Sequence, residues 1–333
     1  MDYALVGHKK REIVMKFKRV GMSRSTNWVL SAVMASILAF LAAPDTRAQD
    51  RFEITSYKDV EGLFERLGYT PGAWKKGIRE VPRIYVTNIP ERWRSKYSKE
   101  VSVRTKKRLF FRLLGPIVLL ANERIMENRT RLERLKAAIH GGAIPIAGER
   151  KWIGVLAARY RLPVPSGVKI TVKRLDDLLH RVDVIPPSLA LSQSAEESGW
   201  GTSRFADLGN ALFGQWTFGG KGIKPKSQRK ELGDHRIAAF DSPIQSVEAY
   251  MLNINTHPAY NTLRDKRARF RREGNSVSGT ILAGTLVKYS ERGEEYVKSL
   301  RAIMRVNRLG PTDDATLSSK PPMYLVPVGA GAK

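Results

Sequence analysis

The sequence predicts a mainly helical (α+β) protein with one small β-hairpin. Three observations indicate this fold class. Apolar residues recur at helical spacing from residue 98 to 140, and a helix opened by prolines follows at 188–197. A last amphipathic helix carries Tyr296, Val297, Leu300, Ile303 and Met304 on one side. The only clear strand signal in the second half is residues 236–241, which follow the turn-rich stretch 219–225.

The N-terminus has the layout of a signal peptide. Residues 1–27 are basic, residues 28–43 are apolar, and Pro44 and the small-residue stretch 46–48 follow. The sequence therefore predicts export and removal of residues 1–48. An uncleaved anchor is the alternative, but the apolar run is shorter than the roughly 20 residues that a helix needs to cross a bilayer.

The charge balance is strongly basic. Lys and Arg number 58 against 32 acidic residues, and residues 1–48 hold only eight of the 58. The folded part is therefore basic as well, and we expect it to be drawn to an anionic surface, either wall polymer or phospholipid. Nucleic acid is the usual partner of such a charge, but export argues against it.

The residues that bind metals or react as nucleophiles are scarce. The chain has no cysteine, which removes thiol catalysis, cysteine–zinc sites and disulfides. Its five histidines form neither an i,i+4 pair nor an HExxH arrangement, and His257 stands alone before a proline. We expect no metal and no organic cofactor.

Residues 49–150 are predicted to form a helical extension. A polar, loosely ordered start leads to an amphipathic helix at 60–67 and an extended segment at 81–90. The long helix over 98–140, with a kink expected at Gly115-Pro116, ends at the Gly141-Gly142 breaker. Its wide apolar face predicts that it packs under the following domain.

Glu197 lies in the last turn of the helix that Pro186 and Pro187 open and Gly199 ends. The negative end of the helix dipole disfavours an ionised carboxylate there, and Trp200 just beyond would remove water from it. Both effects raise the pKa, as a proton donor near neutral pH requires. The alternative is an ordinary surface residue of the helix.

Two segments carry a family resemblance: Ala195-Glu-Glu-Ser-Gly-Trp-Gly-Thr-Ser203 and Asn210-Ala-Leu-Phe-Gly214. They resemble the glucosaminidase domain of glycoside hydrolase family 73, and residues 181–190 and 255–260 are similar to its Bax-type branch in Gram-negative bacteria. The resemblance runs from about residue 80 to residue 309. It implies a lysozyme-like domain at 151–310 with a small β-hairpin over the cleft. The predicted export places the protein in the periplasm, either free or held at the membrane.

The same resemblance implies cleavage of the β-1,4 bond after N-acetylglucosamine in peptidoglycan, with glycan strands as the partner. The catalytic glutamate of the family falls on Glu197. Glu196 points roughly 100° away around the helix and is expected to be structural. A tyrosine before the last helix, which reaches the cleft in the family, falls on Tyr289. Capping of the core is its alternative role.

A second carboxylate would support positive charge on the sugar. Glu231 is the first candidate, Asp234 the second and Asp241 the third. The acetamido group of the substrate could also take this role.

Five side chains are candidates for holding the sugar: Trp216, Phe218, Trp200, Asn210 and Asp234. Trp216 is preferred for stacking, since Trp200 sits against the helix end. Asn210 either faces the ligand or bonds to backbone.

The remaining segments are assigned more simply. The basic segment 264–272 is predicted to be a solvated helix face that meets an anionic polymer or membrane. Residues 311–333 lack periodicity and are expected to be disordered.

The predicted function is that of an endo-β-N-acetylglucosaminidase. The alternatives are a lytic transglycosylase and a non-catalytic wall-binding protein, and nothing in the sequence predicts an oligomeric state.

Overall fold

The computed structural model describes residues 50–165, 167–225 and 235–328. Helices dominate these residues, and the strands are short. The helices are α1 (Tyr57–Arg66), α2 (Pro71–Lys75), α3 (Ser98–Glu100), α4 (Val103–His140), α5 (Ala147–Arg159), α6 (Val172–Arg181), α7 (Pro187–Ser198), α8 (Arg204–Gly209), α9 (Pro243–Thr256), α10 (Asn261–Arg272), α11 (Gly279–Ala283) and α12 (Glu294–Val306). The strands are β1 (Asp50–Ile54), β2 (Glu80–Val81), β3 (Ile84–Val86), β4 (Trp216–Thr217), β5 (Gly222–Ile223), β6 (Arg236–Ala238), β7 (Thr316–Leu317) and β8 (Met323–Pro327).

Helix α4 is the axis of the structure. Its 38 residues begin at a Ser102 cap, whose hydroxyl accepts a hydrogen bond from the Thr105 amide, and Pro116 lies inside it. Ile117 and Val118 are fully buried, because α4 packs against α6, α7 and α9. The long helix predicted from residue 98 is confirmed, although it begins at residue 103 and is preceded by a π-helical turn, Trp93–Tyr97.

One hydrophobic core joins the two halves of the chain. It runs from Tyr85 and Phe110 in the predicted extension to Leu300 and Leu309 in the predicted catalytic domain. A smaller cluster lies between α1, α4, β1, β3 and β8. The residues on either side of position 150 therefore share a core, and the extension is part of the same folded body.

The C-terminal segment is ordered up to residue 328, so the expectation of disorder from residue 311 is wrong for this stretch. Strand β8 is the central strand of a three-stranded parallel sheet, between β1 and β3. Leu325 faces Phe52 and Val86 in the register and is fully buried. Strand β1 is likewise ordered where a loose start was expected, since its partner β8 satisfies its backbone groups. Residues 329–333 lie outside the described part.

The second half is a bundle around α7, with a small antiparallel sheet of order β4-β6-β5 beside it. Helix α7 packs against α4, α11 and α12. Residues Pro187 to Ala195 of α7 are buried. Most of them are small or apolar, and the larger polar side chain among them, Gln193, is hydrogen-bonded. This mainly helical architecture with a small sheet is the one predicted for a lysozyme-like domain.

The basic segment 264–272 is not simply a solvated face. In α10, Arg264 and Arg267 are 1% and 0% exposed. The Nη1 of Arg267 donates to the carbonyl oxygen of Val184 and to Asn255 Oδ1, both at 2.8 Å. Their spacing of three residues puts both arginines on the inner face of the helix. There Arg267 holds the segment that leads into α7, and Arg264 bonds to the carbonyl oxygens of Ile254 and His257 at the end of α9.

Two further contacts fix the start of α7. Asn122 in α4 bonds to both backbone groups of Ile185, with Nδ2 donating to the carbonyl at 2.8 Å. Asp313 accepts from the amide and the hydroxyl of Ser188, each at 2.8 Å, and the first of these bonds satisfies an orphan backbone donor in the first turn of the helix. The start of α7 is therefore held by Asn122, which precedes it in the sequence, and by Asp313, which follows it.

Among the described helices, none is both long enough and apolar enough to cross a membrane. The predicted signal peptide, residues 1–48, lies outside the described residues.

Candidate active site

Helix α7 places Glu197 in its last turn, as the sequence predicts. Pro187 occupies the first turn and Gly199 ends the helix in the left-handed conformation, at φ 57° and ψ 47°. The next residue, Trp200, also has a positive φ of 57°. The chain therefore turns sharply just after Glu197, and the carboxyl is half-buried at the helix end.

Glu197 Oε1 accepts a hydrogen bond from the Tyr296 hydroxyl at 2.7 Å. Tyr296 in turn accepts from Gln193 Nε2 at 3.1 Å, and Gln193 Oε1 accepts from the Tyr250 hydroxyl at 2.6 Å. Because the amide nitrogen can only donate, the proton of Tyr296 is directed at Glu197. This relay of three side chains fixes one carboxyl oxygen as an acceptor.

The other oxygen, Oε2, faces the backbone of Gly214. A Cβ added to this glycine would lie 3.5 Å from Oε2, and the backbone there is left-handed, at φ 58°. Since Oε1 already accepts from Tyr296, the protonated acid carries its proton on Oε2. The side of the carboxyl next to Gly214 is thus the side from which a proton can leave.

The pKa of Glu197 is raised, the direction that the sequence predicts. Burial is the main cause; the hydrogen bond from Tyr296 opposes it, the neighbouring charge of Glu196 adds to it, and Arg292 lowers the pKa. Burial also raises the pKa of Tyr250 and Tyr289 well above the ordinary value. Neutral phenols therefore surround an acid that holds its proton more tightly than usual.

Glu196 does not share this environment. Its carboxylate pairs with Arg292 and accepts from the Ser299 hydroxyl at 2.9 Å. The two adjacent glutamates thus differ by rotation around the helix: one is ion-paired, and the other is buried beside tyrosines. The structural role predicted for Glu196 agrees with these contacts.

Residues 173–309 match the Glucosaminidase family, described as mannosyl-glycoprotein endo-beta-N-acetylglucosaminidase. The match begins in α6 and ends just after α12, so it contains every residue of the relay. The chain is also 32% identical to Protein bax of Escherichia coli (strain K12) over 203 residues, which is 61% of this chain and 70% of the relative. This protein belongs to the Bax-type family of glucosaminidase-domain proteins. No solved structure matches the chain.

In this Bax-type protein, the hydroxyl that contacts Glu197 belongs to Tyr296 and not to Tyr289. The Tyr289 ring stacks on Tyr296 at a centroid distance of 5.4 Å, and its hydroxyl donates to the Phe213 carbonyl at 3.3 Å. Tyr289 therefore lies one ring further from the carboxyl than the family resemblance implies. Tyr296 reads as a core residue of an amphipathic helix in the sequence, which is why it was missed.

Gln193 was also missed, although a signal existed. It lies one helical turn before Glu197 on the same face of α7, and it is a fully buried polar side chain. A glutamine at that spacing in a helix of small and apolar residues predicts a polar contact near the acid.

Asn210 bonds to backbone at both ends of its amide, which is one of the two roles considered for it. Its Oδ1 accepts from the Ile89 amide at 2.9 Å, and its Nδ2 donates to the Phe240 carbonyl at 3.1 Å. Its backbone is left-handed, at φ 48°, as asparagine tolerates. It ties the 210–214 loop to the segments that follow β3 and β6, which is a positioning role.

The aromatic candidates separate by exposure. Trp216 and Phe218 are 51% and 75% exposed, and Trp216 stacks on His235 at 4.4 Å. Both follow Gly214 closely in the chain. Trp200 has Lys107 over its ring at 4.6 Å and a buried Nε1, so it packs against α4, which agrees with the lower preference given to it. Trp216 and Phe218 remain the candidates for stacking.

The second carboxylate is not fixed by the described residues. Glu231 and Asp234 lie in the stretch 226–234, outside the description, between β5 and β6. Asp241 is exposed and forms an ion pair with Lys221 at 2.7 Å, which holds its pKa below the usual range. Asp241 is thus a member of an ordinary surface ion pair. Glu231 and Asp234 stay predictions for the second carboxylate.

Proposed function

We propose that this protein hydrolyses the β-1,4 bond after N-acetylglucosamine in peptidoglycan, with Glu197 as the general acid. The match to the Glucosaminidase family indicates a glycosidase with a carbohydrate substrate. The glycan of the cell wall would be that substrate. The observation that carries the proposal is the half-buried Glu197 carboxyl, with a raised pKa and one oxygen held by Tyr296.

The arrangement suits proton donation to a glycosidic oxygen. Burial keeps Glu197 protonated to higher pH, and the relay leaves Oε2 to carry the proton. As the leaving oxygen takes this proton, the sugar ring gains positive charge. Glu231 or Asp234 would support that charge, or the acetamido group of the substrate would do so. Trp216 and Phe218 offer exposed faces for a sugar ring.

The test is mass spectrometry of fragments released from purified peptidoglycan by the wild type and by Glu197→Gln. We expect fragments with N-acetylglucosamine at the new reducing end, and a fall of about 10²–10⁴-fold in the variant, the contribution of a general acid. Glu196→Gln is the matched control, since it removes the adjacent, ion-paired charge. Anhydro ends would indicate a lytic transglycosylase, and no release from any form would favour a wall-binding protein.

We also propose that the protein is exported, because residues 1–48 have the order of a signal peptide. The N-terminal sequence of the form isolated from cells tests this. A start near Gln49 supports cleavage. A retained N-terminus in a membrane fraction would instead indicate an anchor.

A further inference from the structure

A cavity lies apart from the Glu197 relay. It has a volume of about 550 Å³ and opens between α2, the first half of α4, the start of α7 and residues 306–309. Its lining contains none of the side chains of the Glu197 relay. The volume falls within the range of small-molecule sites, and the proposed glycan cleavage does not use this cavity.

The walls of the cavity are apolar. Trp74, Phe111, Leu119, Leu191 and Leu309 line it, and they come from four separate segments of the chain, since Phe111 and Leu119 both belong to α4. Two large apolar side chains that also line it are exposed: Val103 is 64% and Val306 68% accessible. An apolar cleft with apolar residues at its rim can take an apolar body from solution.

The rim is also strongly basic. The cations that line it are Lys75, Arg104, Lys107, Arg108, Arg112 and Arg308. Of the described residues in this lining, none is acidic. Arg108 is paired with Glu61 from outside it, and Arg112 lies over Tyr69.

The sequence of α4 concentrates this charge. Arg104, Arg108 and Arg112 repeat at i,i+4, so they share one face with the apolar residues of the cavity. Like charges at this spacing destabilise a helix, and the first turn of α4 has no acidic residue to offset the helix dipole. Burial lowers the pKa of Arg112, and the charge of Arg108 adds to the effect. An anionic ligand would relieve the repulsion that the folded helix tolerates.

We propose that this cavity binds an anionic phospholipid, with an acyl chain against the apolar walls and the phosphate on the cations of α4. Charge complementarity requires an anion, and the apolar walls select a lipid over an acidic wall peptide or polymer, which would leave them unfilled. Such a site would hold the protein at an anionic membrane surface independently of the predicted N-terminal segment.

The experiment is a calorimetric titration of the full chain with dihexanoyl phosphatidylglycerol, a phospholipid that is soluble as a monomer. Two variants probe the site: Val306→Glu at the apolar rim and Arg104→Glu on α4. Their matched controls are Val155→Glu, at 66% exposure on α5, and Arg134→Glu, exposed on the far part of α4, neither of which lines the cavity.

We expect each site variant to weaken binding about tenfold. Arg104→Glu replaces a cation at the phosphate with an anion, and Val306→Glu places a carboxylate at the apolar rim, where it repels the anionic lipid. The controls should bind as the wild type does, and all four should unfold at similar temperatures. Dihexanoyl phosphatidylcholine and glycerol phosphate should both bind more weakly, because each lacks half of the recognised chemistry.

Three results would overturn the proposal: equal affinity in the site variants and the wild type, equal affinity for the neutral lipid, or tighter binding of an acidic muropeptide than of the lipid. Because residues 28–43 could bind lipid themselves, the comparison of variants decides the outcome. Glu197→Gln should bind the lipid unchanged, so failure here and failure of the proposed hydrolase activity are distinguishable.

Discussion

The hydroxyl of Tyr296 lowers the pKa of Glu197 against the larger effect of burial, because its hydrogen bond favours the carboxylate. In Tyr296→Phe the pKa of Glu197 should rise further. An acid catalyst acts while protonated, so the alkaline limb of the pH–rate profile should move to higher pH, while the rate at the optimum falls about tenfold through lost positioning.

The measurement is muropeptide release against pH for Tyr296→Phe and Tyr289→Phe. The Tyr289 hydroxyl donates to the Phe213 carbonyl, so its removal should leave the limb in place. If the alkaline limb moves only in Tyr289→Phe, the hydroxyl that acts on Glu197 is that of Tyr289, as the family resemblance implies.

A substitution at Gly214 tests whether the proton leaves Glu197 from Oε2. Alanine there must adopt φ 58° and places its methyl carbon 3.5 Å from Glu197 Oε2. Gly274→Ala imposes a similar strain at φ 68°, with nothing within 4 Å. Each variant should lose about 1–2 kcal/mol of stability, but only Gly214→Ala should lose glycan cleavage. Glycan cleavage and urea unfolding are measured for both variants. Equal cleavage by the two would show that Glu197 Oε2 does not deliver the proton.

At the scale of elements, β8 is the strand that joins the ends of the chain. Leu325 is fully buried between β1 and β3, while Val326, next to it, is only half-buried. Leu325→Ala should cost about 2–5 kcal/mol in the free energy of unfolding, from lost burial and the cavity that remains. Val326→Ala should cost clearly less. Urea denaturation compares them, and equal small losses would mean that the C-terminal strand contributes little.

At the scale of the whole molecule, Asp183 links distant elements. It pairs with Arg271 of α10 and lies 3.4 Å from both Arg129 of α4 and Arg267 of α10. Burial alone would raise its pKa, but the three arginines outweigh it, so the pKa lies below the ordinary 3.8. Its contribution to stability is therefore present above about pH 4 and is lost as pH falls through the folded-state pKa.

Asp183→Asn should destabilise the protein by about 3–5 kcal/mol at neutral pH, because it leaves the buried Arg267 without its carboxylate. The difference from the wild type should shrink below pH 4. Asp177→Asn, which removes an exposed i,i+4 pair with Lys173 at 3.1 Å, should cost under about 0.5 kcal/mol. Urea unfolding at neutral pH and below pH 4 checks this. If the wild type and Asp183→Asn differ equally in unfolding free energy at both, the charge of Asp183 is not the cause.

The elements that the sequence determined by itself are those with local signals. Pro187 and Gly199 bound the site helix, Gly141 ends α4, and the apolar spacing of α12 marks its buried face, since caps and helical period involve residues a few positions apart. The same local order places Glu197 at a helix end, whereas the rise of its pKa comes mainly from burial, which the tertiary structure provides.

Only the tertiary structure decided the partners of these elements. Tyr296 reaches Glu197 from 99 positions away, and Asn210 bonds to Ile89 across 121. Strand β8 is ordered because β1 and β3 lie on both sides of it, and Arg267 is buried because Asp183 and Val184 meet it. Such contacts leave no periodic trace in the sequence, because each side chain looks locally like an ordinary core, surface or tail residue until the chain brings its partner to it.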